Sequence, residues 1–124
     1  MLRVGADLLP CDRVARARER WGARFLARVL TPREIEDCRG RTESFAVRIA
    51  AKEAASKALG VGLMTRVGWR DIEVQRGPQG EPSLLLYGEA ARLAEALGLN
   101  EWALSLSHAG GQALAVVVAQ RAGG

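Results

Sequence analysis

The alanine-rich segment from Ser44 to Leu59 constrains the fold of this chain more than any other feature. It contains six alanines and no glycine or proline, which predicts a long helix, and Gly60 is the residue type that commonly ends one. Small side chains let a neighbouring backbone or a ligand approach this helix closely. The only two lysines of the chain, Lys52 and Lys57, both lie in it, so it is not a typical solvated surface helix.

The segments around this helix predict an α+β fold. Strands are predicted at 2–9, 69–74, 83–87, 102–107 and 113–120, and further helices at 13–30, 31–38 and 89–97. Thr31 and Glu34 form the capping-box pattern at the start of the third helix. The order of elements indicates a largely antiparallel sheet packed with the long helix, and 124 residues allow one domain, 1–124.

The composition excludes several classes of protein. Hydrophobic residues make up 48% of the chain, which excludes a disordered chain, and no run of about 18 uncharged apolar residues predicts a membrane span. The two cysteines, Cys11 and Cys38, are too few for a disulfide scaffold or a cysteine-based zinc site and are expected to be ordinary thiols. With no signal peptide, a cytoplasmic location is expected.

Positive charge is concentrated in the predicted helix at 13–30. Six arginines lie between Arg13 and Arg28, where Glu19 is the only acidic residue. We expect an apolar stripe on this helix beside a continuous basic ridge. The stripe consists of Val14, Ala17, Trp21, Phe25 and Val29, and the ridge of Arg13, Arg16, Arg20 and Arg24. Such a segment indicates an acidic partner, which is a nucleic acid, an anionic lipid or an acidic protein.

Four polar residues stand out as candidates for chemistry. Glu53 and Lys57 share a helix face at i, i+4, which is also the spacing of an ordinary surface salt bridge. Asp7 interrupts an apolar strand and either faces water or, with a second carboxylate from the long helix, forms an oxygen-ligand site suited to Mg²⁺. His108, the only histidine, precedes a glycine-rich turn and is either structural or an anion contact.

Several segments together resemble one enzyme family. Residues 48–58 read R-I-A-A-K-E-A-A-S-K-A, which is similar to the pattern R-F-A-A-K-E-A-F-S-K-A of holo-acyl-carrier-protein synthases, the small trimeric class of 4′-phosphopantetheinyl transferases. The segments at 4–8, 24–31, 71–74, 80–82 and 105–108 resemble the family's other motifs in the same order. Ile49 and Ala55 replace two phenylalanines and Ala6 an isoleucine, which predicts looser packing around the long helix.

The resemblance implies a reaction and a set of residues. The family moves the phosphopantetheine arm of coenzyme A to a serine of an apo acyl carrier protein and leaves adenosine 3′,5′-bisphosphate. Asp7 and Glu53 correspond to its metal-binding carboxylates, Lys57 to a lysine on the phosphates and His108 to a histidine near the coenzyme. Arg48, Gly60 and Gly62 are further expected coenzyme contacts, although on spacing alone the two glycines mark a helix stop. Either Glu53 or a metal-bound water takes the serine proton.

The resemblance also implies partners. Acyl carrier proteins are acidic, so Arg13, Arg16, Arg20, Arg24, Phe25 and Arg28 are expected to form the docking surface for one. A homotrimer with active sites between subunits is expected, with neither nucleic acid nor membrane as a partner. Two alternatives stay open at this point. One is a non-catalytic module that binds an acidic protein or nucleic acid through the basic helix, and the other is an inactive relative retained as a partner subunit.

Overall fold

The computed structural model describes residues 1–63 and 65–123. It contains five helices, five strands and one short 3₁₀ turn within those residues. In chain order they are β1 (Leu2–Pro10), α1 (Cys11–Trp21), α2 (Ala23–Val29), α3 (Pro32–Cys38), α4 (Thr42–Leu59), the 3₁₀ turn (Trp69–Asp71), β2 (Ile72–Arg76), β3 (Pro82–Leu86), α5 (Gly88–Leu97), β4 (Glu101–Ala109) and β5 (Gln112–Gln120).

The predicted long helix is confirmed as α4, which is the centre of the structure. Its six alanines are all buried, and Gly60 ends it in the left-handed conformation with φ 81°. One hydrophobic cluster lies around the alanines of its C-terminal half, with β5 and α5, and a second around Phe45 and Ile49, with α1–α3. The replaced positions Ile49 and Ala55 are both buried in these clusters.

The strands form two antiparallel sheets. β5 lies between β1 and β4 in a three-stranded sheet, and β2 pairs with β3 in a separate hairpin. β1 packs against α4 at backbone distance because Gly5 has no side chain: a Cβ at this position would lie 1.9 Å from the Ala54 carbonyl oxygen. The close backbone approach expected from the alanines is therefore made by β1.

The three-stranded sheet presents an apolar outer face. On β1 the alternate residues Arg3, Gly5 and Asp7 face α4. Leu2, Val4 and Leu8 therefore point away from the core and are 68%, 65% and 61% exposed. The register places Val4 beside Val118, and Leu8 beside Leu114, on the same face. An exposed contiguous apolar face of this kind is unusual for a protein that acts as a monomer.

The prediction of one continuous helix at 13–30 is wrong. The chain breaks at Gly22, which has φ 62° and ψ −144°, a conformation open to glycine and strained for other residues, and α1 and α2 are separate helices. The predicted stripe is also divided, because Val14 and Val29 are buried while Trp21 is 58% exposed. The basic ridge is therefore not continuous but extends over two helices.

Most of the other predicted elements are confirmed, with two corrections at their ends. Thr31 and Glu34 form the predicted capping box of α3. Residues 69–71 form a 3₁₀ turn, so the predicted strand at 69–74 begins only at Ile72. His108 pairs with Ala113 inside the β4–β5 ladder, so the turn consists of Gly110 and Gly111 alone. None of the helices described here is long and apolar enough to cross a membrane.

Candidate active site

The structure brings Asp7, Glu53 and Lys57 together where β1 crosses α4. Asp7 is on the face of β1 that contacts α4 because Gly5, two residues earlier, sets that face. Lys57 Nζ lies 3.2 Å from Asp7 Oδ1 and donates a hydrogen bond of 2.9 Å to the Ala6 carbonyl oxygen. The interpretation of Glu53 and Lys57 as a surface salt bridge is wrong: among the ion pairs of the described residues, Lys57 pairs with Asp7.

The electrostatics of Glu53 indicate two carboxylates at close range. Burial raises the pKa of Glu53, and the negative charge of Asp7 raises that pKa further, while Lys57 and Arg13 lower it. Two carboxylates that repel each other in a partly solvated position favour a bound cation. The part of the chain that the structure describes has no group of three or more His, Cys, Asp or Glu that could hold a metal ion. A metal ion bound here would therefore need further ligands besides the Asp7 and Glu53 carboxylates, such as water or substrate oxygens.

A second polar group lies in a separate pocket of about 220 Å³. Arg48, Arg76 and His108 line it together with Ser44, Val47, Gly80, Pro82 and Leu106. Arg48 is only 3% exposed, and one of its guanidinium nitrogens donates to the Ser44 carbonyl oxygen at 3.2 Å. Its Nε is buried without a hydrogen-bond partner in the described structure, and Arg48 and Arg76 together bring two positive charges to the lining of the pocket. The pocket is therefore suited to an anion.

The two groups lie on different faces of α4. Arg48 and Glu53 are five positions apart on this helix, which turns their side chains by about 140° from each other. Asp7, Glu53 and Lys57 thus face one side of the chain, and Arg48 and His108 face another. Gly60 and Gly62, the other expected coenzyme contacts, follow the Lys57 end of α4, where both are exposed.

The arginines of α1 and α2 surround an apolar cleft. Arg24, Phe25 and Arg28 line it together with Trp21, and its volume is about 570 Å³. Arg13, Arg16 and Arg20 are exposed along α1. We call these six predicted residues and Trp21 the arginine surface. Within it Arg16 pairs with Asp12, and the Arg20 guanidinium lies 4.9 Å from the centre of the Trp21 ring.

Sequence reasoning missed Trp21, Arg76 and Lys52. Trp21 was assigned to the buried stripe, and the glycine that follows it is the signal of a helix end that would have exposed it. Arg76 lies at the end of a hairpin strand and carries no local signal for the pocket it lines. Lys52 is completely buried, with its ammonium paired to Glu34, although Glu53, the next residue, faces the site.

Comparisons with known proteins agree with the expected family. Residues 3–117 match the sequence profile of the 4′-phosphopantetheinyl transferase superfamily. The chain is 50% identical over 124 aligned residues to a holo-[acyl-carrier-protein] synthase of Herpetosiphon aurantiacus, covering 95% of this chain and 98% of that protein. It is 43% identical over 121 residues to one of Koribacter versatilis, covering 95% and 97%.

A solved structure shares the fold. Helicobacter pylori holo-[acyl-carrier-protein] synthase in complex with coenzyme A superposes with a TM-score of 0.87 at 32% sequence identity, covering 94% of this chain and 99% of that chain. The predicted α+β fold with a largely antiparallel sheet is thereby confirmed.

Proposed function

This chain belongs to the 4′-phosphopantetheinyl transferase superfamily, and on that premise we propose that it transfers the 4′-phosphopantetheine group of coenzyme A to a serine of an apo acyl carrier protein. The observation that supports this reaction most is the grouping of Asp7, Glu53 and Lys57 at the crossing of β1 and α4. The serine oxygen attacks the β-phosphorus, the pyrophosphate bond breaks, and adenosine 3′,5′-bisphosphate leaves. Phosphoryl transfer depends on positioning and on neutralising charge, and these side chains can do both.

Asp7 and Glu53 are proposed to hold Mg²⁺. Two carboxylates fit this ion, because Mg²⁺ usually takes one or two protein carboxylates and completes its shell with water and substrate phosphates. When bound, the ion neutralises charge on the phosphate oxygens. Removing metal with a chelator should abolish transfer and adding Mg²⁺ should restore it. Full activity in metal-free buffer would contradict this assignment.

Lys57 and Glu53 are proposed to act on the reacting groups themselves. Lys57 is 54% exposed in its side chain, so its ammonium can turn from Asp7 to a phosphate oxygen. Glu53, or a water molecule held beside it, would take the proton of the attacking serine. Glu53→Gln should lower kcat strongly, and an unchanged kcat would remove this role.

The pocket of Arg48 and His108 is proposed to bind the phosphate of coenzyme A that does not react. The pyrophosphate lies at Lys57 in this scheme, so the remaining anion is the 3′-phosphate, a negative charge that suits the Arg48 and Arg76 side chains lining the pocket. Gly60 and Gly62 are proposed to let the coenzyme approach the backbone beyond the end of α4. Dephospho-coenzyme A should therefore be a poorer substrate than coenzyme A, and equal kinetics for both would exclude this role for the pocket.

The arginine surface is proposed as the docking site of the carrier protein. Its exposed guanidinium groups suit an acidic partner, and the cleft between Trp21 and Phe25 suits an apolar side chain at the centre of the contact. The aromatic residues of the arginine surface are only Trp21 and the half-buried Phe25, which do not form an extended base-stacking platform, so an acidic protein fits better than a nucleic acid. Tight, salt-sensitive binding of single-stranded nucleic acid in the absence of carrier binding would contradict this choice.

The active assembly is proposed to be a homotrimer of single-domain subunits, each spanning residues 1–124. Two observations favour a shared site: the apolar outer face of the sheet at Val4 and Leu8 needs cover, and Arg48 and Glu53 face different sides of α4. Neighbouring subunits can complete each other's sites if the Arg48 pocket of one meets Glu53 of the next. A cytoplasmic location stays a prediction.

Mixing two impaired variants tests the shared site. Glu53→Gln impairs the group of Asp7, Glu53 and Lys57, and Arg48→Leu impairs the Arg48 pocket. In mixed assemblies, an intact Arg48 pocket from one variant can meet an intact Glu53 from the other, so some sites should be complete. We expect the mixture, at low coenzyme A concentration, to exceed the summed activity of the two variants alone. Activity no higher than that sum would place the whole site within one chain.

A further inference from the structure

A buried lysine that the proposed reaction does not use joins α4 to the end of the loop that follows it. The side chains of Lys52 and Glu34 are both completely buried, and Lys52 Nζ lies 2.7 Å from Glu34 Oε1. The same nitrogen donates to the Trp69 carbonyl oxygen at 3.0 Å and to the Ile72 carbonyl oxygen. These two carbonyl groups bracket the 3₁₀ turn that precedes β2.

The surroundings of Lys52 Nζ require an ammonium group. A protonated lysine has three N–H donors, and here one carboxylate and two carbonyl oxygens provide one acceptor for each. A neutral amine has only two N–H donors and would leave one of these buried acceptors without a hydrogen bond. Burial lowers the pKa of Lys52, but the Glu34 charge opposes this shift. The nitrogen is therefore a three-way connector between α4, α3 and the 3₁₀ turn.

Glu34 is fixed as firmly as the lysine. Its Oε1 accepts a hydrogen bond of 2.9 Å from the Thr31 amide, and its Oε2 accepts one of 2.7 Å from the Val74 amide. The carboxylate thus has partners on α3, on β2 and on α4. Both side chains are shielded from solvent, and the hydrogen bonds to these neighbours hold the ion pair in one geometry.

The connector lies at one end of the loop that carries two expected coenzyme contacts. The loop, of which the structure describes 60–63 and 65–68, begins where α4 ends, and the 3₁₀ turn held by Lys52 follows it directly. Between those ends, the described part of the loop has a Thr65 hydroxyl bond to the Gly62 carbonyl oxygen and one isolated bridge between Leu63 and Val67. Both ends of the loop are therefore tied to the helix that carries Glu53 and Lys57.

We propose that Lys52 is a positioning residue that holds the far end of this loop, at 65–68, against α4 and so keeps Gly62 in place for the coenzyme. The part concerning the coenzyme rests on the proposed function. The part concerning the loop does not, because it follows from the contacts of Lys52 with the Trp69 and Ile72 carbonyl groups. Loss of the ammonium should free the loop exit while leaving the arginine surface unchanged.

The test needs a variant that folds without the ammonium. Lys52→Met alone leaves the Glu34 carboxylate buried and unpaired and can prevent folding. The double variant Lys52→Met/Glu34→Gln removes both charges and keeps an amide that can still cap α3. Glu34→Gln alone is the matched control: it removes the counter-ion of Lys52, but the new amide oxygen and both carbonyl oxygens can still accept the three hydrogen bonds of the ammonium, and the comparison is made where this variant is folded. Val117→Ala, in the central strand of the three-stranded sheet, controls for a general loss of stability.

Trypsin reports on the loop without any need for activity. Arg66 is exposed within the loop, and the bond that follows it is cleaved only when the local backbone opens. We expect this bond to be cut at least about fivefold faster in the double variant than in either control, under conditions where all three are folded. Equal cleavage rates in the double variant and Glu34→Gln would overturn the proposal.

Kinetics test the link to the coenzyme. The KM for coenzyme A should rise about tenfold in the double variant, with the KM for the carrier protein unchanged. A faster cut at Arg66 with an unchanged KM for coenzyme A, or an equal rise in both KM values, would overturn the positioning role. If the wild-type chain transfers nothing, the proposed function fails, and the trypsin comparison still decides whether Lys52 holds the loop.

Discussion

Replacing Gly5 by alanine should damage both the fold and the active site, because this glycine sets the distance between β1 and α4. A Cβ at position 5 would lie 1.9 Å from the Ala54 carbonyl oxygen and 2.8 Å from its carbon, whereas real Cβ atoms are essentially never closer than 3.0 Å to such atoms. Since the obstacle is helix backbone, β1 must move away from α4 by roughly 1 Å or more.

The cost can be estimated from two opposing effects. Overpacking of a tight interface costs about 1–3 kcal/mol, and a backbone obstacle puts this position at the upper end of that range. Alanine restricts the conformations of the unfolded chain more than glycine does, which stabilises the folded protein by about 0.4–1 kcal/mol. The net loss of unfolding free energy should be about 2 kcal/mol. Asp7 moves with β1, and a misplacement of about 1 Å can lower a rate by roughly 100-fold.

Urea unfolding followed by tryptophan fluorescence, together with transfer kinetics on the folded fraction, measures both effects. Gly77→Ala is the matched control. Its Cβ would lie 1.8 Å from Glu81 Oε1, but that atom is the end of a flexible side chain that can turn away. We expect Gly77→Ala to behave like the wild type. If Gly5→Ala matched it in both stability and rate, the reasoning about the β1–α4 contact would be refuted.

Four further predictions concern individual side chains. Burial and the Asp7 charge raise the pKa of Glu53, so ionisation of Glu53 lowers the stability of the folded protein as the pH rises through that pKa. Metal-free Glu53→Gln should therefore melt at a higher temperature than wild type at pH 7, and this gain should be lost near pH 4, where the glutamate is largely protonated in the unfolded chain as well. An equal gain in melting temperature at both pH values would contradict this. Arg48→Leu should raise the KM for coenzyme A by about 30-fold and leave kinetics with dephospho-coenzyme A unchanged, a comparison that fails if both substrates are affected alike. Arg24→Glu should lower kcat/KM for the carrier about tenfold at low ionic strength and much less at high salt, as measured by initial rates at several salt concentrations. Burial raises the pKa of Cys38 to about 11, so iodoacetamide at pH 8 should label this thiol far more slowly in the folded than in the unfolded protein, and rapid labelling of the native chain would disprove its burial.

An element can be predicted from the sequence where its local residue preferences and its tertiary packing favour the same structure. The α4 helix was predicted because its alanines favour a helix, fit beside other backbones and precede a glycine stop, and all of these features act in the structure. The α3 start was predicted because the Thr31–Glu34 capping box is a local pattern. The chain offered the pairing of Asp7 with a carboxylate of the long helix only as one of two alternatives, and the family motifs were needed to choose it, since Asp7 and Glu53 are distant in the chain.

The sequence was insufficient where tertiary contacts decide. On β1, Arg3, Gly5 and Asp7 alternate with apolar residues, and this pattern alone does not decide which of the two sets faces the helix. The close contact of Gly5 with Ala54 places the first set on the side of α4. The periodic apolar residues of 13–30 matched one helix, but Gly22 adopts a positive φ and divides it. Lys52 carries no local sign of its burial, because its three acceptors come from residues far along the chain.

The most direct test of this account is the mass of an apo acyl carrier protein after incubation with coenzyme A, Mg²⁺ and this protein. We expect a gain of one phosphopantetheine group on a single serine. The gain should vanish with Glu53→Gln and persist with Glu43→Gln, an exposed glutamate in the first turn of the same helix. No gain on several carrier proteins that a known transferase modifies would contradict the proposed transfer, and an undiminished rate with Glu53→Gln would contradict the proposed role of Glu53.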